Sequence, residues 1–150
     1  MIAVAVAVSL ATSSNCPATD AKAELLSLHE KTRQAHLRGD AVSIAETIGD
    51  QLLMADNGTI RTQSNAEVAA FFTGYLKRVR YNEWRDASPP VVTISPDGRM
   101  GWLAVAVEAI YTNADKPAAG EKSFKSSWIA TYARNNCVWR MTGIASDVVK

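Results

Sequence analysis

The side chains best placed to move a proton are His29, Asp56 and Glu108. His29 and His36 lie seven positions apart, so on a helix they share a face two turns apart. His29 neighbours the stripe Leu25, Leu28 and Thr32. It reads either as a general base at neutral pH on a cavity wall or as a half-buried structural histidine, with His36 nearer the surface. Asp56 directly precedes Asn57-Gly58. Walled by apolar side chains, its carboxyl would have a raised pKa and could shuttle a proton at a carbon beside a carbonyl; the plainer alternative is a turn residue bonded to its own backbone. Glu108 is a lone acid within an apolar run. It is a base or anchor if its face is concave, and an Arg-paired interface or solvent residue if that face is convex. Thr32, Tyr75, Trp84, Trp102 and Trp128 are candidate wall residues, with Ser126 a hydroxyl alternating with Trp128; Tyr132 and Trp139 complete the aromatic stock. No CxxC or His-Cys spacing points to a metal.

Those side chains need elements to hold them. Asp20 caps a first helix over Ala21–Arg38, and Gly39-Asp40 stops it and starts a second, over about Ala41–Ile48. Gln51–Asp56 and Thr59–Thr62 flank Asn57-Gly58, the composition of a type I′ hairpin turn. Ser64-Asn65-Ala66-Glu67 is a capping box opening a third helix with Val68, Phe71, Phe72, Tyr75 and Leu76 on one face. Arg80–Arg85 and Val91–Ile94 are strand pieces separated by Ser88-Pro89-Pro90. Arg99–Asn113 is the longest strand, and Ser123–Ala133 and Cys137–Val148 form a last hairpin turned at Asn135-Asn136. In the long strand Met100, Trp102, Ala104, Ala106, Glu108 and Ile110 face one way, while Gly101, Leu103, Val105, Val107, Ala109 and Tyr111 face the other. Both sets are largely apolar, so the sheet is expected to be covered on both sides. Helices first and an antiparallel sheet after make an α+β domain.

The sequence has 150 residues, 47% of them hydrophobic, and a net charge of +1. One domain is expected, and no overall field favours nucleic acid. The basic cluster Lys77-Arg78-Val79-Arg80 suits a helix C-terminus. Residues 1–20 stand apart from the domain at 21–150. Ile2–Leu10 is an apolar run followed by Ala11-Thr12-Ser13-Ser14, which reads as a secretory signal and therefore export, or as an N-terminal tail in a protein that stays in the cytoplasm. The run is too short for a stable membrane span. Cys16 and Cys137 either pair in an oxidising compartment or stand apart, with Cys137 buried.

The order helix, helix, hairpin, helix, then long strands resembles the cone-shaped fold of nuclear transport factor 2, ketosteroid isomerases, scytalone dehydratase and SnoaL-like cyclases. Ala35-His36-Leu37-Arg38-Gly39-Asp40 is similar to that group's first-helix ending, and Ser64–Phe72 to its third-helix entry. Ser95-Pro96-Asp97-Gly98 with Gly101-Trp102, and Asn135–Met141 with Trp139, look like the SnoaL-like or DUF4440 branch.

The resemblance implies three N-terminal helices packed on a curved, mainly antiparallel sheet around a conical cavity, a small apolar ligand, no cofactor and a homodimer. In ketosteroid isomerases the general base follows the first-helix Gly-Asp by about sixteen positions, the separation of Asp40 and Asp56. The oxyanion-hole tyrosine maps onto Thr32, and the late-strand acid onto Trp128–Thr131, where no carboxylate exists. The reaction of that isomerase is therefore not expected. Two functions stand: a small-molecule-binding domain doing cofactor-free isomerisation, dehydration or cyclisation on an apolar carbonyl-bearing substrate, or a non-catalytic exported module that binds a ligand or dimerises.

Overall fold

A computed structural model describes residues 20–149. The apolar N-terminal stretch and Cys16 lie outside the described residues. Helices α1 (Ala21–Arg38), α2 (Ala41–Ala45) and α3 (Asn65–Leu76) pack against one seven-stranded sheet. Its strands are β1 (Ile48–Asp56), β2 (Thr59–Ser64), β3 (Val79–Asp86), β4 (Val91–Ile94), β5 (Met100–Asn113), β6 (Lys122–Asn135) and β7 (Val138–Val149). This is the expected α+β cone.

Local chemistry sets the joints. The Asp20 carboxylate accepts from the backbone N–H groups of Lys22 and Ala23, and Gly39 takes φ 69° to end α1. Asp40 accepts from the Ser43 N–H to start α2, and Ser64 and Glu67 close a reciprocal capping box on α3. Asn57 and Gly58 both take positive φ, as a type I′ turn requires.

The sheet order is β2-β1-β7-β6-β5-β3, with β4 on the edge of β5 beside β3. Every pairing is antiparallel except β1 with β7, which is parallel. That pairing corrects the second helix, which ends at Ala45 rather than Ile48. The Met141 N–H donates to the Thr47 carbonyl, and Ile48 joins the sheet opposite Met141. The β6–β7 turn also moves by one residue, to Asn136 and Cys137, both at positive φ. Cys137 is half-buried and disulfide-bonded, so the reading of an unpaired, buried Cys137 does not hold.

The two faces of β5 separate clearly. Leu103, Val105, Val107 and Ala109 are buried under the helices with Leu25, Trp84, Ala130 and Tyr132. Gly101 allows α1 to come this close, because a Cβ there would stand 2.8 Å from Leu25 Cδ1. Glu24 ties α1 to the sheet by accepting from Trp139 Nε1 (2.7 Å) and Arg134 Nη2 (3.0 Å). The opposite face carries Met100, Trp102 and Glu108, joined by Leu53, Val91 and Ile129 from neighbouring strands, and it faces outward. Among the described residues no helix is long and apolar enough to cross a membrane.

Candidate functional site

Between the helices and the inner sheet face lies a cavity of about 230 Å³. Its apolar wall includes Ile44, Ile48, Leu52, Val68, Phe72, Trp84, Trp128, Met141 and Ile144. Phe71 lines it while 56% exposed, which puts that ring at the rim. Polar groups enter from α1 (His29, Thr32, Arg33, His36), from Thr47 beside α2, and from Ser126, Tyr132 and Ser146 on the sheet. A larger open depression of about 520 Å³ lies on the outer sheet face among Ala104, Ala106, Ile129 and Ala145. The inner cavity is the better site, because buried titratable groups line it.

His29 is buried, and its Nε2 lies 2.8 Å from Asp86 Oδ1 at the end of β3. A carboxylate only accepts, so Nε2 carries the proton and the Nδ1 lone pair is left for another partner. The ring is fixed as in any histidine oriented by a carboxylate, the arrangement that general bases use.

His36 is buried as well, correcting the expectation that it lies near the surface. Its ring packs 4.4 Å from Trp84 and edge-on to Phe72 and Tyr81. The Nδ1–H donates to the Thr32 carbonyl at 2.8 Å, and burial pushes the imidazole pKa down to about 4. His36 is therefore neutral at pH 7, with Nε2 as an acceptor.

Arg33 is the cation in this wall, and three of its five N–H donors are occupied. It grips Glu30 at 2.7 and 2.6 Å and donates to the Trp84 carbonyl at 2.8 Å. Tyr132 is 3% exposed, burial pushes its phenol pKa up, and its hydroxyl has no partner among the described residues. The Trp84 indole N–H is sealed from solvent and has no acceptor among the described residues.

Of the residues expected from sequence, His29, Thr32, Trp84, Ser126 and Trp128 meet at this cavity. Thr32 and Ser126 direct their hydroxyls at the backbone carbonyls of Leu28 and Asp147. The others lie elsewhere. Asp56 sits at the β1–β2 hairpin, where Arg61 clamps both carboxylate oxygens at 2.6 and 2.9 Å and holds its pKa below the usual carboxylate range. That is the opposite of what a base needs, and Asp56 does not line the cavity.

Glu108 lies on the outer face between Lys125 (2.9 Å) and Arg85, which lower its pKa, so the convex alternative holds. Trp102 is on that same outer face. Tyr75 is outside the lining and spends its hydroxyl on Tyr81 at 2.6 Å. Sequence reasoning passed over Asp86, the acceptor role of His36 and the Tyr132 hydroxyl.

No family model matches the chain, and no curated protein is similar to it in sequence. Solved structures decide the fold. An NTF2-like protein from Cytophaga hutchinsonii superposes with a TM-score of 0.68 at 13% identity, over 87% of this chain and 100% of that one. A ketosteroid isomerase-like protein from Erwinia carotovora atroseptica gives 0.68 at 12% identity, over 88% and 98%. An NTF2-like superfamily protein from Salmonella enterica serovar Typhimurium gives 0.68 at 10%, over 85% and 89%. The chain has the NTF2-like fold. His29, His36 and Tyr132 all line the cavity between the helices and the sheet of this fold.

Proposed function

We propose that this NTF2-like domain binds a small, mostly apolar molecule in the inner cavity and uses the His29–Asp86 pair for cofactor-free acid/base chemistry beside a carbonyl. One observation carries the reading: a buried imidazole, oriented by a carboxylate at 2.8 Å, in the wall of an apolar cavity. In this role His29 takes a proton at Nδ1 while Asp86 steadies the imidazolium that forms. His29 thus replaces Asp56 and Glu108 as the candidate base. Placement in the SnoaL-like or DUF4440 branch rests on Ser95–Gly98, Gly101-Trp102 and Trp139. Export is part of the proposal, supported by the apolar Ile2–Leu10 run and by the disulfide at Cys137.

Proton exchange in D2O tests the chemistry. With 4-hydroxyacetophenone as probe, the protein should speed deuterium entry into the acetyl methyl group, read by NMR. His29→Gln and Asp86→Asn should abolish the effect, while Asp56→Asn should retain it. Exchange no faster than in buffer, or unaffected by His29→Gln, would contradict the acid/base role.

A second reading, the exported ligand-binding or dimerisation module, is favoured by the apolar outer face bearing Leu53, Val91, Met100, Trp102 and Ile129. A homodimer through that face is compatible with either reading.

A further inference from the structure

We propose that Arg33 receives the oxygen of a ligand carbonyl with its two unspent N–H groups and holds the enolate that forms when His29 takes a proton from the neighbouring carbon. This rests on the acid/base reading of the cavity and supplies the group that reading lacks, a donor for the developing negative charge. Arg33 follows His29 by four residues, so the two side chains leave α1 one turn apart on the same face. They converge on one stretch of β3. His29 Nε2 gives its hydrogen to Asp86 Oδ1 at 2.8 Å, and Arg33 Nη1 gives one to the Trp84 carbonyl at 2.8 Å. Both side chains line the cavity.

The Glu30 carboxylate takes one hydrogen from Arg33 Nε and one from Nη2. A guanidinium has five, so one remains on Nη1 and one on Nη2. The Arg33 pKa is raised, first by the bond to Glu30 and further by the charge of Asp86, and the group stays a cation. α1 brings His29, Thr32, Arg33 and His36 to the cavity, and among these Arg33 alone keeps hydrogens to give. The Thr32 hydroxyl donates to the Leu28 carbonyl, the His36 Nδ1–H to the Thr32 carbonyl, and the His29 Nε2–H to Asp86.

The step balances with one proton moved. As the C–H bond breaks, its electron pair becomes a C=C bond, the carbonyl π pair moves onto oxygen, and the proton goes to His29 Nδ1. In D2O the imidazolium trades that proton with solvent and returns a deuteron to carbon. Donors fixed beforehand stabilise such a charge best, and Glu30 and the Trp84 carbonyl fix this guanidinium. The ligand is thereby an aldehyde or ketone with a hydrogen on the adjacent carbon.

The test uses 4-hydroxyacetophenone labelled with carbon-13 at the carbonyl, bound at pH 7. Its carbonyl resonance moves downfield of its position in water when a cation polarises the oxygen, and upfield when the ketone enters an apolar site without one. The unmodified protein should give a downfield signal. Arg33→Met, which keeps the apolar stem, should move it upfield and slow deuterium entry at least about a hundredfold. His29→Gln should stop the exchange yet leave the signal downfield. Tyr132→Phe and Ser146→Ala remove hydroxyls that the sheet brings to the cavity and should also leave it downfield, which keeps the assignment refutable if Arg33→Met does not fold. An upfield signal in the unmodified protein overturns the Arg33 site and leaves ligand binding standing. So does a downfield signal that survives Arg33→Met, or one lost with Tyr132→Phe or Ser146→Ala. A downfield signal without deuterium entry overturns the base role of His29 and the enolate step with it. Absence of any bound ketone overturns the small-molecule reading and the Arg33 site together.

Discussion

His36 makes the stability of this protein depend on pH between about 4 and 6.5. The imidazole pKa falls from 6.5 to about 4 on folding, chiefly through burial. The unfolded chain therefore binds a proton that the folded chain refuses between those values. Stability then rises with pH across the window and is lost as pH drops from about 6.5 toward 4. Each tenfold difference in proton affinity is 1.36 kcal/mol, so acidifying from pH 7 to 4.5 should remove about 2–3 kcal/mol.

The groups facing His36 do not reverse the sign. Tyr81 stays neutral throughout this range, and the Coulomb effect of His29 pushes the same way as burial. The assay is urea unfolding at pH 7 and 4.5 for the unmodified protein and for His36→Phe, which keeps a ring against Trp84. Carboxylates such as Glu30, held by Arg33 to about 2, titrate alike in both proteins and cancel in the comparison. The variant should lose about 2–3 kcal/mol less on acidification. Equal losses would refute the burial argument for His36.

Other perturbations probe the frame around the cavity. Gly101→Val should destabilise by about 1–3 kcal/mol in thermal or urea unfolding, since the added atoms meet Leu25 and Ile94 where α1 lies against β5. Glu24→Ala strips the acceptor from Trp139 and Arg134, and should cost about 2 kcal/mol in the same assay. If the outer face joins two subunits, Ile129→Lys should convert a dimer to a monomer in sedimentation while leaving ligand affinity unchanged, because Ile129 lies outside the cavity.

The sequence was most readable where a few adjacent residues settle the backbone. Asp20, Gly39-Asp40, Asn57-Gly58 and the Ser64–Glu67 box each set a cap or turn locally, and each stands where expected. Ile48–Asp50 was misread because its strand character comes from pairing with β7, some ninety positions away. The two faces of β5 could not be told apart, as both are apolar; only the helix packed over Gly101 decides between them.

At the site, Leu25, His29, Thr32 and His36 form one helical stripe that could have revealed His36. Asp86, by contrast, meets His29 across 57 positions, and no spacing rule predicts that encounter. Asp56 misled because its distance from Asp40 fits the resemblance, while the nearby Arg61 that claims it is a hairpin partner.

The central claim is that the inner cavity, rather than the outer face, receives a small molecule. Methyl NMR during titration with 4-hydroxyacetophenone tests it most directly. Saturable shifts are predicted at Ile44, Met54, Met141 and Ile144, which line the cavity, with Met100 and Ile129 on the outer face left unmoved. Shifts confined to Met100 and Ile129, or none at any concentration, would contradict it.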